Sequence, residues 1–333
     1  MVAHCFFDGQ ITTNFKTQVL EDVLNKSSFR PQDITRMVLA AAGPTDGKTC
    51  QMTNARFFLD TSQYGIKSVI INDFEGVSEG IGSHILRFQE LKLLLLPHLD
   101  GSYGDAFPLG NIGILGAGTG LGEGRLFFSN NRYKPKASEG GHKFLPTDST
   151  KPEEIEIARY LSSRYYGGRI PHSESVLSGR GTEHVFDYLL ARSIARGEFN
   201  LPNSAIEEFE GTKDKPEAIS RLAKKYPDTI FGKTEDFFYR VYGRASHDLV
   251  VHENARDGLY IAGGIMRKNI EINPGSAIID KRVLRPFMEE FDNGPSHRDW
   301  VNKTRVYVVM DKEVGLKGAK YVASNPEVFN EKL

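Results

Sequence analysis

The densest chemical signal in the 333-residue chain is Gly116-Ala117-Gly118-Thr119-Gly120-Leu121-Gly122. Alternate glycines let backbone N–H groups approach a phosphate closely, and Thr119 adds a hydroxyl donor. No Gly-Lys-Ser/Thr follows, so this is not a Walker loop. The third glycine of a dinucleotide fingerprint is displaced, and residues 125–128 read as a strand where that fingerprint needs a helix. A plain hairpin turn wants the same glycines, so the motif alone leaves both readings open.

Asn72-Asp73 ends the apolar run Val69-Ile70-Ile71. An aspartate at a strand end can take a hydroxyl proton from a substrate while Asn72 orients that hydroxyl. The same pair also suits a helix N-cap, which in isolation explains it sufficiently. Glu139-Gly140-Gly141-His142 sets a carboxylate and an imidazole on a glycine-bearing turn, a combination that can hydrogen-bond vicinal sugar hydroxyls. One His and one Glu are too few ligands for zinc. Glu174, before Val176-Leu177-Ser178-Gly179, reads alone as a binding carboxylate or as solvated surface. Gly263-Gly264, after the apolar Leu259-Tyr260-Ile261, would let an adenine lie on bare backbone, or a helix pack closely on a sheet. Thr53-Asn54 reads as a turn, and Cys5 and Cys50 as core.

The elements that must position these residues follow from periodicity. Residues 2–7 and 11–15 are expected to form a hairpin around Asp8-Gly9, followed by a helix from Phe15 that ends near residues 25–28. Buried strands are expected at 37–42, 69–71, 111–115, 259–262 and 305–310, and a hairpin turns at Asn130-Asn131. Helices are expected at 153–166, 183–196 and, rich in small residues, 315–323. The mixed-sign stretch 213–236 reads as a solvated helix or excursion. A boundary is expected between 97 and 111, where Pro, Gly and Asp cluster. Strands mixed with helices make this an α/β chain.

Composition removes several function classes. Lys+Arg 42 against Asp+Glu 43 gives a net charge of −1, which disfavours a nucleic-acid or anionic-membrane binder. Two cysteines exclude a disulfide scaffold and a Cys-rich zinc site. The longest aliphatic run, Leu93-Leu94-Leu95-Leu96, falls far short of the roughly 20 residues a membrane helix needs. No secretory leader pattern opens the chain, so a cytoplasmic location is expected.

The order of the motifs carries more than any one of them. A strand ending in Asn-Asp, a strand running into GTGLG, then EGGH, ESVLSG and a strand ending in AGG occur in the order found in the bacterial-type glucokinases. The chain resembles that family, within the hexokinase and actin-like ATPase superfamily, over nearly its whole length and most specifically from Val69 to Gly181. The resemblance implies a two-lobed actin-like ATPase fold, related to ribonuclease H, with an active-site cleft between a small α/β lobe (1–109, rejoined by a C-terminal helix at about 315–333) and a larger α+β lobe (110–314). It implies ATP-dependent phosphorylation of glucose to glucose 6-phosphate, a glycolytic reaction, with Mg²⁺ neutralising the transferring phosphates. Lobe closure in such families excludes water as an acceptor. Position by position, Asp73 is implied as the general base on the sugar 6-hydroxyl. Asn72, Glu139, His142 and Glu174 are implied as sugar ligands, Gly118, Thr119 and Gly120 as a phosphate loop, and Gly263 and Gly264 as the border of the adenosine. No metal ligand from the protein is implied.

One departure stands out. The family's first phosphate motif, Asp-x-Gly-Gly-Thr followed by Asn or Lys, is absent, and Asp8-Gly9 matches the next hairpin along. The chain is therefore expected to be truncated at its N-terminus, lacking the first strand of the small lobe. That leaves two alternatives, a sugar-binding protein with impaired phosphoryl transfer, or a kinase for a related hexose or amino sugar. Repressor relatives carry a DNA-binding helix pair and a Cys-rich zinc motif, neither of which appears. Members are often homodimers, a state the residue pattern does not decide.

Overall fold

A computed structural model describes residues 21–26, 30–52, 58–198 and 201–333. They form two compact units. The smaller holds the described residues up to Lys92 together with Gly124–Ala137 and Asp311–Leu333; the larger holds Leu93–Glu123 and Ser138–Met310. The chain thus passes between units at 92/93, 123/124, 137/138 and 310/311. The hairpin expected around Asp8-Gly9, Cys5 and the Thr53-Asn54 turn lie outside the described residues, and of the helix expected from Phe15 only Glu21–Lys26 is described.

The smaller unit contains β1 (Met37–Ala41), β2 (Thr49–Gln51), β3 (Phe58–Asp60) and β4 (Ser68–Asn72). Among the described residues β1 and β4 pair in parallel, with Leu39 opposite Ile70, and β2 and β3 pair antiparallel. β4 is apolar without alternation because both its faces are covered. Ile70 packs with Ala41, Cys50 and Leu59, while Val69 and Ile71 pack with Val322, Val328 and Phe329. The helix Asp73–Ile85 begins where β4 stops and lies against the helix Val314–Ser324, the small-residue helix expected near the C-terminus. Their approach leaves no room for side chains: a Cβ on Gly318 would overlap the Gly76 carbonyl, and one on Gly80 the Val314 carbonyl. This packing fixes the start of the first helix, and with it Asp73.

The larger unit is built on β5 (Leu93–Leu96) and β6 (Ile112–Ala117), followed in the chain by β7 (Leu121–Ser129) and β8 (Arg132–Ser138), then by β9 (Gly258–Ala262) and β10 (Val306–Val309). Its sheet runs β5-β10-β9-β6, extended by the first residues of β7. β6, β9 and β10 are parallel, with Ile114 opposite Tyr260 and Tyr307 opposite Tyr260, and β5 closes the edge antiparallel. Every residue of β6 and β9 is buried, as expected of strands covered by helices on both sides. The rest of β7 continues in the smaller unit and returns as β8 through Asn130-Asn131. Both asparagines are left-handed, with φ of 51° and 57°, the conformation a tight hairpin turn demands.

The charged stretch 213–236 resolves into the helix Lys215–Lys225 and the start of the helix Ile230–Glu253. The first buries Ala218, Ile219, Leu222 and Ala223 and turns its charges outward, a solvated face as its mixed signs suggest. No helix among the described residues is long and apolar enough to cross a membrane.

Candidate active site

The candidate residues fall into two sets by unit. Asn72 and Asp73 belong to the smaller one, and all the others to the larger one.

In the smaller unit Asn72 is the N-cap of the helix Asp73–Ile85: its Oδ1 accepts from the Phe74 N–H at 2.9 Å. Its Nδ2 donates to the Gly43 carbonyl at 3.3 Å, which fixes the amide. The cap reading of this residue is therefore correct. Asp73 Oδ1 accepts from the same Phe74 N–H at 2.9 Å. Asp73 is open to solvent at its surface. The surrounding protein nonetheless disfavours its charge and pushes its pKa up, against the opposing pull of the Phe74 N–H.

In the larger unit, backbone pairing brings together turns distant in sequence. The Leu145 N–H donates to the Pro171 carbonyl at 3.1 Å and the Ser173 N–H to the Lys143 carbonyl at 2.8 Å, with Phe144 bridged to His172. This junction sets the EGGH turn beside the short 3₁₀ turn Ser173–Ser175 that carries Glu174. The result is a close cluster. The His142 and His172 rings meet edge to face at 4.9 Å between centroids, and His142 Nε2 lies 3.9 Å from Glu139 Oε2. Glu139 and His142 are exposed, whereas Glu174 is half-buried. Glu174 Oε2 accepts from the Leu121 N–H at 2.8 Å, so this carboxylate reaches the end of the glycine loop.

The glycines of EGGH serve packing more than flexibility. A Cβ on Gly141 would overlap the Leu121 carbonyl, and one on Gly140 the buried Glu123 carboxylate. Glu123 in turn pairs with Lys143 at 2.8 Å and ties the turn to the start of β7. The Gly118–Gly120 segment is a tight turn between β6 and β7, closed by the Gly118 N–H to the Gly120 carbonyl at 2.8 Å, with Thr119 exposed. The Gly118 carbonyl accepts from the Gly179 N–H at 2.9 Å, which seats the loop at the N-terminus of the helix Gly179–Ala195. Its N-cap, Ser178, accepts from the Gly181 N–H at 3.0 Å. Gly263, at φ 83° and next to the end of β6, has no room for a Cβ against the Ala117 carbonyl, and Gly264 opens the following short helix. The larger unit thus joins Glu174 to the end of the 118–120 loop, sets His142 beside it with Glu139 next to that imidazole, and seats Gly263 at the end of the strand that leads into the loop.

Two contributors escape the reading of the residue pattern. Tyr242 is fully buried; its hydroxyl accepts from the Ala117 N–H at 3.1 Å and donates to the Leu115 carbonyl at 3.3 Å, so it braces the strand just before the loop. His172 gains its place only through the pairing with residues 143–145. The one sequence hint is its spacing two residues before Glu174. Burial and the neighbouring His142 hold its pKa below the usual histidine value.

The sequence model of the family described as Glucokinase matches residues 12–326. A glucokinase from Nostoc punctiforme is 32% identical over 301 residues, covering 86% of this chain and 81% of the relative. A crystal structure of glucokinase from Balamuthia mandrillaris in complex with glucose superposes with a TM-score of 0.71 at 19% identity, over 93% of this chain and 83% of that one. That of a ROK family glucokinase from Streptomyces griseus in complex with glucose and AMPPNP gives 0.52 at 18% identity, over 86% and 79%. The fold is the one these structures share.

Proposed function

The chain belongs to the glucokinase family, and from that premise we propose that it transfers the γ-phosphoryl group of ATP to the 6-hydroxyl of glucose, with Asp73 as general base. The two units correspond to the small and large lobes of the family. The smaller supplies the base. The larger supplies the sugar ligands and the nucleotide loops.

Asp73 takes the proton of the 6-hydroxyl as that oxygen attacks the γ-phosphorus and the bond to the β-phosphate oxygen breaks, giving glucose 6-phosphate and ADP. Its raised pKa makes it a stronger base than a solvated aspartate. Asn72, held by Phe74 and Gly43, presents a fixed amide to the same hydroxyl. Glu139 and Glu174 accept hydrogen bonds from ring hydroxyls, and His142 can donate or accept. Glu174 spends Oε2 on Leu121 and offers its other oxygen to the sugar.

Gly118, Thr119 and Gly120 face the phosphates from a loop pinned at a helix N-terminus, where backbone N–H groups and the helix dipole favour negative charge. Gly263 and Gly264 border the adenosine. The loop donors are N–H and hydroxyl groups with no carboxylate among them, which fits a Mg²⁺ that arrives on the nucleotide. When bound, that ion neutralises charge on the β- and γ-phosphoryl oxygens. Such a kinase works in the cytoplasm, with ATP.

The observation that carries this reading is the convergence, through the 143–145 and 171–173 pairing, of His142, Glu174 and the glycine loop on one place. A coupled assay with ATP across several hexoses tests it. Glucose is expected as the preferred acceptor, with one ADP formed per glucose 6-phosphate. Glucose binding by calorimetry with no ATP-dependent product would leave only a sugar-binding protein.

A further inference from the structure

We infer that His142, His172 and Glu174 form a site for one divalent transition-metal ion of the zinc class, on ground that overlaps the sugar ligands. One donor atom from each of the three lies within 4.8 Å of the other two. The backbone junction that holds them is rigid by construction: residues 143–145 and 171–173 are tied by the Leu145–Pro171 and Ser173–Lys143 hydrogen bonds, and the Ser173 hydroxyl adds bonds to the Lys143 and Phe144 carbonyls at 3.3 Å each. His172 Nδ1 is buried and meets no hydrogen-bond partner in the protein.

The donor chemistry selects the ion. Two imidazoles and a carboxylate suit zinc, cobalt, nickel or iron better than magnesium or calcium, which prefer oxygen alone. Zinc bonds of about 2.0–2.1 Å require the donors to close in from their present spread. The freedom for this lies in His142, whose side chain is 54% exposed and can swing toward the buried edge of His172. Three protein ligands leave a fourth position for water or another small donor.

His172 separates this site from the one proposed for the sugar. His142 and Glu174 belong to both, whereas His172 has no part in the sugar reading. Only the overlap rests on that reading, and its consequence is that the metal and glucose exclude one another.

The test uses the full chain, stripped with a chelator, and the metal alone. Titration with Co²⁺ is expected to saturate at one ion per chain with a visible d–d absorption band, and Zn²⁺ to displace it. His172→Ser is expected to weaken binding by more than about 100-fold, beyond what outer-shell partners contribute. His142→Ala, on an exposed side chain that cannot unfold the protein, is expected to do the same. Absence of one-to-one saturation, or unchanged binding in both variants, overturns the site. A parallel glucose titration on the metal-free chain separates the two readings. If glucose binds there and saturating Zn²⁺ leaves its affinity unchanged, the ion is not on these residues and the inference fails. If glucose never binds, the sugar assignment fails, and the Co²⁺ titration alone decides for or against the metal.

Discussion

Asn72-Asp73 in the smaller unit and the Glu139, His142 and Glu174 group in the larger one are positioned by opposite means. The first pair is placed locally. A buried strand ends, an asparagine caps the next helix, and Asp73 follows in the first turn, all within a few residues of chain. The second group depends on contacts across some thirty residues and on glycines at positions where any Cβ would collide with a neighbour. A cap is common in helices of every function, so the local arrangement says little about chemistry by itself. The long-range convergence says more, because a fold that needed only a hairpin turn and two short helical turns has no reason to set an imidazole beside the carboxylate that holds the end of the glycine loop.

The comparison breaks most sharply at Asp73. Asp73→Asn is expected to lower kcat by about 10²-fold or more, the scale of losing a general base, while calorimetry shows glucose still bound. The cap survives, because Asn72 and not Asp73 is the N-cap, so a collapse of the helix cannot explain the loss. The pH profile sharpens the assignment. A general base at this position works only as the carboxylate, and the surrounding protein, by disfavouring the charge, raises the Asp73 pKa above the usual aspartate value. Activity is therefore expected to fall as pH drops through that raised pKa, at a higher pH than a solvated aspartate would give, and Asp73→Asn is expected to lack this acid limb. Stability moves the other way. The folded state binds the Asp73 proton more tightly than the unfolded chain, so the charged form is a small cost above both pKa values. Asp73→Asn is expected to melt slightly higher at neutral pH, with the difference vanishing in acid.

In the larger unit the corresponding break is Gly120→Ala. The added Cβ would stand 2.6 Å from Glu174 Oε2, the oxygen that accepts from Leu121. The carboxylate end is mobile and yields, so the fold is kept but the hydrogen bond is lost. A bond to a charged group contributes about 1.5–3 kcal/mol, which makes a rise of roughly tenfold or more in KM for glucose the expected result in steady-state kinetics. An unchanged KM would place the sugar away from Glu174.

The same contrast sets what could be read from the chain. β4, β6 and the β7–β8 hairpin are legible because each is a local pattern: an apolar run with a polar stop, or a turn of two asparagines. The small-residue helix Val314–Ser324 is legible for the same reason, although nothing local shows that its glycine faces the helix bearing Asp73. β2 and β3, three residues each, are too short to show a period. β5 shows four leucines without alternation, and its role as an edge strand depends on pairing with β10, more than two hundred residues later. At the site the glycine motifs announce themselves, whereas Tyr242 and the Glu123–Lys143 pair do not. A tyrosine within a long helix and a carboxylate within a strand acquire a function only when the sheet brings them to the ends of β6 and β7. The order of motifs along the chain substitutes for part of this missing information, since it carries the outcome of long-range packing that periodicity cannot express.

The smallest expected effect is also the most selective. Gly118 stands in the same turn as Gly120, its φ outside the left-handed region, yet a Cβ there would meet nothing within 4 Å. Gly118→Ala is therefore expected to leave the melting temperature and KM for glucose unchanged. If the open space beside Gly118 is where nucleotide phosphates lie against bare backbone, the methyl group holds them off and KM for ATP rises several-fold, about 1 kcal/mol of lost contact. The two neighbouring glycines then separate the two substrates: alanine at 120 acts on the sugar through Glu174, and alanine at 118 on the nucleotide through its own methyl. Should Gly118→Ala leave KM for ATP untouched, the phosphates do not approach this face of the turn. The glycine at 118 would then serve only the hairpin between β6 and β7.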